Sequence, residues 1–385
     1  MRRVAVDLRP FLAAAGLETS GPDARLLDLL GIDHQGECPP WLVREGVGVL
    51  DIETIGLHGS GVVAFLVAAG VRRGDVLESE QFLLADPEGE PAMLAAVADR
   101  IGANRLWLTY NGRSFDVPVL AARCTVNRLE PAGVEPRLHG DLLGPVRRLF
   151  RDRLGACTLR HAEMSLLAHH RVGDVPGVEA GARYRAWLRG APASVLAGVL
   201  DHNLQDIVST AVVGSRLAAH VSGERIRPAH AADPYHLARH LQRRGLREAA
   251  EAELRDAVDA GVEPWARRAA HSLARTLLRR GETAEAVAIW SRLHRENPHD
   301  LATARAYAIR LERDGDLDAA LDVCRRVTAA RAELGPWWRH LRGAGTRGDD
   351  EWQRRESRLQ RRALRRMGAV AGRDGAAADV RRDRA

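Results

Sequence analysis

Two acids two residues apart, Asp51 and Glu53, end the short apolar run VGVLDIE. A strand alternates its side chains, so residues at i and i+2 share a side, and two carboxylates there converge on one cation. A third acid, Asp116, follows the run LWLTY and the turn NGRSF. Its plain alternative is to cap the next helix, which Asp does well and which does not exclude metal binding. A fourth, Asp206, stands in DHNLQDIVST with His202 four residues before it. On a helix that spacing puts both on one face, about 5–6 Å apart at Cβ. Each signal alone is common. In chain order, on strand, strand and helix, they form a set of four oxygen donors suited to a hard divalent cation, with an imidazole able to exchange a proton near neutral pH. Asp141, on a later short strand, is a candidate for a supporting acid or for a turn cap.

The elements that must hold these residues are legible in part. VGVLDIE turns polar at its end, as a buried strand does where it leaves a sheet. VVAFLVAAGV and VLESEQFLLA follow across short Gly-containing turns and read with it as a β-meander. Pro91 to Ile101 has helical spacing, RLWLTYNG is a fourth strand, and FDVPVLAARCTV is a helix with Pro118 in its first turn. RLHGDLL gives a fifth strand, and from Leu142 to about His220 the pattern is mostly helical. Periodicity alone supports an α/β domain. The expected limits are a leader over 1–46, with one weak helical pattern around Ala24 to Leu30, and a domain over 47–225.

Beyond residue 226 the chain reads as helical and repeats itself. Gly245, Gly281 and Gly315 are 36 and 34 residues apart. Ala238, Ala274 and Ala308 lie seven before each, Leu241, Leu277 and Leu311 four before, and Ala250, Ala286 and Ala320 five after. Small residues where two helices cross, with a period near 34, resemble the tetratricopeptide repeat. A helical-repeat domain is therefore expected over 226–345, with Trp337, Trp338 and Trp352 capping its last apolar face, and a basic, partly disordered tail over 346–385.

Composition bounds the rest. At 385 residues two domains are the natural expectation. No run approaches the roughly 20 apolar residues of a membrane span, and the start, MRRVAVDLRPFLAAAGLE, reads as neither signal nor transit peptide. A cytoplasmic location is expected. Cys38, Cys124, Cys157 and Cys324 lie too far apart for a disulfide framework or a zinc knuckle. The net charge is +6, yet residues 339–385 carry 14 Arg against 7 acids, which is +7 and leaves −1 for the other 338. The body of the chain is thus not basic. The tail is either a solvated extension or a non-specific phosphate-binding arm.

LDIETIGL resembles the first motif of the DEDD exonucleases, YNGRSFDVPVL the second and HNLQDIVS the third. The middle segment, with Asn111 ahead of Phe115 and Asp116, is similar to the proofreading domain of family B DNA polymerases. The fullest likeness, over roughly 45–222, is to ribonuclease H-like exonucleases of the YprB type, in which such a domain often stands beside tetratricopeptide-like repeats. HGDLLGPVRRLF and the DVPG turn at Asp174 to Gly177 are similar to that group too.

The resemblance implies an α/β ribonuclease H-like domain, a mixed sheet flanked by helices, followed by an all-α helical-repeat domain. It implies an enzyme, a 3′–5′ exonuclease hydrolysing single-stranded DNA or RNA with two Mg²⁺ or Mn²⁺ ions about 3.5–4 Å apart. Asp51, Glu53, Asp116 and Asp206 would be the ligands, and Thr54, Asn111 and Phe115 would touch the substrate strand. Members place a His five residues before the last Asp or a Tyr four before it; this chain has His202 at the Tyr spacing. Its role stays open between general base, water-orienting group and supporting partner. The alternatives are a structure-specific endonuclease using the same acids and a non-catalytic nucleic-acid-binding scaffold. A protein partner on the repeats is expected in any of these cases, and a membrane partner in none.

Overall fold

The apolar runs from residue 47 onward become strands of one sheet. In the computed structural model, which describes residues 1–17, 24–32, 46–56, 61–102, 105–224, 230–335, 337 and 351–366, the chain forms two compact units, Met1–His240 and Leu241–Ala385. Cys38, Trp338 and the GPD and ECPPW pieces of the expected leader lie outside the described residues.

The first unit is built on β1 (Arg2–Asp7), β2 (Val47–Ile55), β3 (Val63–Arg73), β4 (Val76–Leu83), β5 (Leu106–Thr109) and β6 (Leu138–Asp141). The six strands lie in the order β1-β4-β3-β2-β5-β6. β1 to β4 pair antiparallel, whereas β2, β5 and β6 run parallel. The first 46 residues are thus more than a leader packed on the domain, because they supply β1, which pairs with β4 from Arg2 opposite Gln81 to Asp7 opposite Val76.

The helices are α1 (Arg9–Ala14), α2 (Ala24–Leu30), α3 (Glu90–Ile101), α4 (Asp116–Val126), α5 (Leu143–Leu154), α6 (Leu159–Leu166), α7 (Gly177–Leu188) and α8 (Ala197–Val221). They cover both faces of the sheet. Val47, Val49, Leu106 and Leu108 pack with Leu149 of α5 and Ile207 and Val212 of α8 in one apolar layer. Leu50, Ile52, Phe65 and Trp107 face the other way, with Leu94 of α3, Leu120 of α4 and Tyr184 of α7. Burying both faces accounts for strands that read as apolar runs instead of clean alternation. α8 crosses the sheet closely: a Cβ at Gly70 would stand 3.1 Å from Ile207 Cδ1, and one at Gly214 would stand 2.9 Å from Leu108 Cδ1.

After α9 (Ala232–Arg243), the second unit is helical: α10 (Arg247–Asp259), α11 (Trp265–Arg280), α12 (Thr283–Glu296), α13 (Leu301–Asp314) and α14 (Leu317–Leu334). Successive helices from α10 to α14 pack on one another. The aligned small residues lie deep, with Ala238, Ala250, Ala274, Ala286, Ala308 and Ala320 all at 0% exposure. Gly281 and Gly315 end their helices in the left-handed conformation, at φ 90° and 81°, which a residue without Cβ adopts at no steric cost. Within the expected tail, residues 351–366 form a further helix, α15. Its Trp352 and Leu359 are buried against α13 and α14, while Trp337 is 70% exposed. Arg355 and Arg358 of α15 bind Glu312 of α13. No helix among the described residues is long and apolar enough to cross a membrane.

Candidate metal centre

Strand parity aims the first two acids. Asp51 and Glu53 continue the side of β2 on which Val47 and Val49 meet the α8 layer. The register of β2 against β3 shifts between Glu53 and Thr54, so Thr54 follows the irregularity and is half-buried. From α8, the fully buried Asn203 donates through Nδ2 to Asp51 Oδ2 at 2.8 Å. Its own Oδ1 accepts from Gln81 Nε2 at 3.0 Å. That chain of amides ties Asp51 to β4.

Asp116 reaches the site by another route. The turn after β5 passes through Asn111 at φ 73°, and Asp141 holds it by accepting from the backbone N–H groups of Asn111 (2.9 Å) and Arg113 (3.1 Å). Asp141 also accepts from the Leu143 N–H at the start of α5, so it is a turn and cap residue. Gly112 sits where any Cβ would press into Thr109. Asp116 does not cap α4: that position is Phe115, and Asp116 is the first helical residue. Its buried carboxylate lies instead near the backbone of Ile52 on β2, which partly offsets the lift from burial.

His202 and Asp206 come from one face of α8. His202 Nε2 lies 3.8 Å from Glu53 Oε1 and 3.6 Å from Asp206 Oδ2, and Glu53, His202 and Asp206 each offer a ligand atom within 4.8 Å of the others. Asp51 and Asp116 stand close enough for their charges to act on each other and on Asp206. Burial lifts Asp51 well above the carboxylate range, and the charges of Asp206, Asp116 and Glu53 lift it further. Burial also pushes Glu53 up to about 7 against the pull of His202. Asp116 is raised to about 7, chiefly by burial. Asp206 is raised by burial although Arg171 and His202 oppose it. Buried carboxylates that lift one another suit a site completed by cations. Oxygen donors with one imidazole nitrogen fit Mg²⁺ or Mn²⁺.

Five residues of the site have no role assigned from the sequence, although the DVPG turn that holds one of them, Asp174, is marked there. Arg171, in the loop between α6 and α7, contacts Asp206 and is itself held by the buried Glu163 of α6. Asp174, in the same loop, accepts from His202 Nδ1 at 2.6 Å. Burial raises the Asp174 carboxyl, but His202 and Arg171 outweigh it and hold it below its ordinary value. Asn203 and Gln81 complete the five. One signal was available: Asn203 falls three residues before Asp206, on the same helical face. Phe115 is 43% exposed beside Asp116, and Asn111 is exposed. Tyr110 is turned inward, its hydroxyl donating to the Cys157 carbonyl at 2.9 Å.

An open sheet with helices on both faces, parallel at β2, β5 and β6, that gathers acids at the carboxyl ends of β2 and β5 defines a ribonuclease H-like domain. Residues 49–218 match the family described as RNase_H superfamily, and the chain carries a ribonuclease H-like domain of the YprB type. It is 27% identical over 246 residues to the uncharacterized protein YprB of Bacillus subtilis (strain 168), covering 64% of this chain and 59% of that protein. The chain therefore spans about three-fifths of the length of the curated relative it matches. Among solved structures, the family B DNA polymerase of the hyperthermophilic archaeon Pyrobaculum calidifontis is similar at 15% identity. That likeness covers 55% of this chain and 30% of the polymerase, with a TM-score of 0.37.

Proposed function

We propose that the first unit is a metal-dependent 3′–5′ exonuclease that hydrolyses phosphodiester bonds of single-stranded DNA or RNA. The observation that carries this reading is the convergence of Asp51 and Glu53 from β2, Asp116 from the start of α4 and Asp206 from α8, with burial raising all four. These residues would hold two Mg²⁺ or Mn²⁺ ions. When bound, such ions supply an activated water and neutralise charge on the attacking and leaving oxygens.

The remaining roles fall to side chains already placed. His202 Nε2, beside Glu53 and Asp206, takes or orients the proton of the water. Phe115 offers an exposed ring on which a terminal base stacks. Thr54 and Asn111 flank the acids and touch the substrate strand. Phe65 and Trp107 are fully buried and serve the core. The second unit, read as tetratricopeptide-like repeats, recruits a protein partner.

The test is degradation of end-labelled single-stranded DNA and RNA with Mn²⁺ or Mg²⁺, comparing the intact chain with Asp206→Ala. Stepwise shortening from the 3′ end is expected, absent in chelator and reduced at least about 10²-fold in the variant. Internal cuts would turn the reading to a structure-specific endonuclease. No cleavage with either metal would leave a nucleic-acid-binding scaffold.

A further inference from the structure

His202 and Asp206 each carry two polar atoms, and in both residues one is already engaged. Nδ1 of His202 lies 2.6 Å from Asp174 Oδ1. An ionised carboxylate only accepts, so Nδ1 carries the proton. Arg171 Nη1 stands 3.3 Å from that nitrogen but has no lone pair to receive there, and it reaches Asp174 Oδ2 at 3.4 Å. In the neutral ring Nε2 is then the acceptor, and it faces Glu53 and Asp206. On Asp206, Arg171 Nη2 donates to Oδ1. The other oxygen, Oδ2, is left on the side of His202 Nε2.

Arg171 is in turn fixed. Its Nε donates to both oxygens of Glu163, at 3.0 and 2.9 Å, and its side chain is only 3% exposed. A planar guanidinium gripped along one edge keeps its remaining N–H groups in set directions. One loop between α6 and α7 thus meets both α8 residues of the site.

We propose that Asp174 and Arg171, backed by Glu163, are positioning residues that fix which ring nitrogen of His202 and which oxygen of Asp206 face the reacting phosphate. The proposal rests on the nuclease reading for its consequence, but its structural content stands apart from activity. Asp174 acts on His202 as carboxylates behind metal-site and catalytic imidazoles do, by choosing the tautomer.

The experiment uses the full chain with Asp174→Asn, Asp174→Glu, Arg171→Gln and Arg171→Lys. An Asn amide can donate to Nδ1 and so drive the proton to Nε2. The ring ¹⁵N resonances of His202, assigned by their loss in His202→Gln, report the tautomer directly. Expected are Nδ1–H in the parent, Nε2–H in Asp174→Asn, and the parent pattern again in Asp174→Glu. On single-stranded DNA with Mn²⁺, kcat of Asp174→Asn should fall on the order of 10²–10⁴-fold, the usual weight of a positioned acid or base, with KM and calorimetric Mn²⁺ affinity little changed. Arg171→Lys should retain more kcat than Arg171→Gln. Nε2–H in the parent, or an unchanged tautomer and kcat in Asp174→Asn, would overturn the proposal. If the parent cuts no nucleic acid, the nuclease reading fails while the ring-nitrogen spectra still decide the positioning claim.

Discussion

Burial first, and charge repulsion second, raise the carboxyls of Asp51, Glu53 and Asp116 in the fold, and this sets a pH dependence of stability. Glu53 and Asp116 rise to about 7 in the fold from ordinary values of 4.5 and 3.8. Between those limits the native state keeps protons that the unfolded chain has released, so stability falls as pH rises through the window. For Glu53 alone the shift is worth roughly 3 kcal/mol. Thermal melts in chelator should therefore drop from pH 5 to pH 8, and Mn²⁺ should recover the loss at pH 8. Asp116→Asn should melt above the parent in chelator at pH 8 and gain less from Mn²⁺. An equal response of parent and variant to both would remove the repulsion argument. At this scale the sequence exposes what local spacing encodes: two acids on one side of a strand, and a His and an Asp on one helical face. Arg171 and Glu163 stay hidden, and Asp174 shows only as part of the DVPG turn without a role, because their partners lie on another element, up to 35 residues away, and nothing in a loop sequence states where it will fold back.

Between elements, the parallel pair β2 and β5 sets where the acids stand. Gly48 lies opposite Trp107 in that pair, and any Cβ there would run into the indole. Trp107 is fully buried and anchored by its Nε1 donating to the Ile101 carbonyl at 3.1 Å, so it has little room to yield. Gly48→Ala should cost about 1–3 kcal/mol as an overpacked core does. It should also lower nuclease activity more than the stability loss explains, since Asp51 and Glu53 lie three and five residues along the same strand. Urea melts paired with kcat measurements check this, and a stable variant of normal activity would count against it. The strands from 47 on are legible because runs such as VVAFLVAAGV are long, apolar and bounded by Gly turns. β1 is not: RRVAVD is short, only Val4 and Val6 are even half-buried, and its partner residues lie 69 to 79 positions away.

For the whole molecule, the 34–36-residue spacing of glycines and small residues is enough to mark a helical second half, since left-handed helix ends and close crossings demand those residue types. Spacing does not mark where that half stops. An Arg-rich run reads as solvent-loving, yet α15 buries Trp352 and Leu359 between its charges, as an amphipathic helix allows. The opposite end of the chain holds a liability of a different kind. β1 is the strand that closes the β4 side of the sheet, and it turns Arg2, Arg3 and Asp7 outward. Shorten the chain past Asp7, and the row of amides and carbonyls on β4 becomes a template on which a second molecule can add its own strand. A preparation lacking residues 1–7 should accordingly self-associate in a concentration-dependent way by light scattering, while the intact chain does not. Tags and fusions joined near Met1 call for the same caution, because this edge is guarded by only six residues.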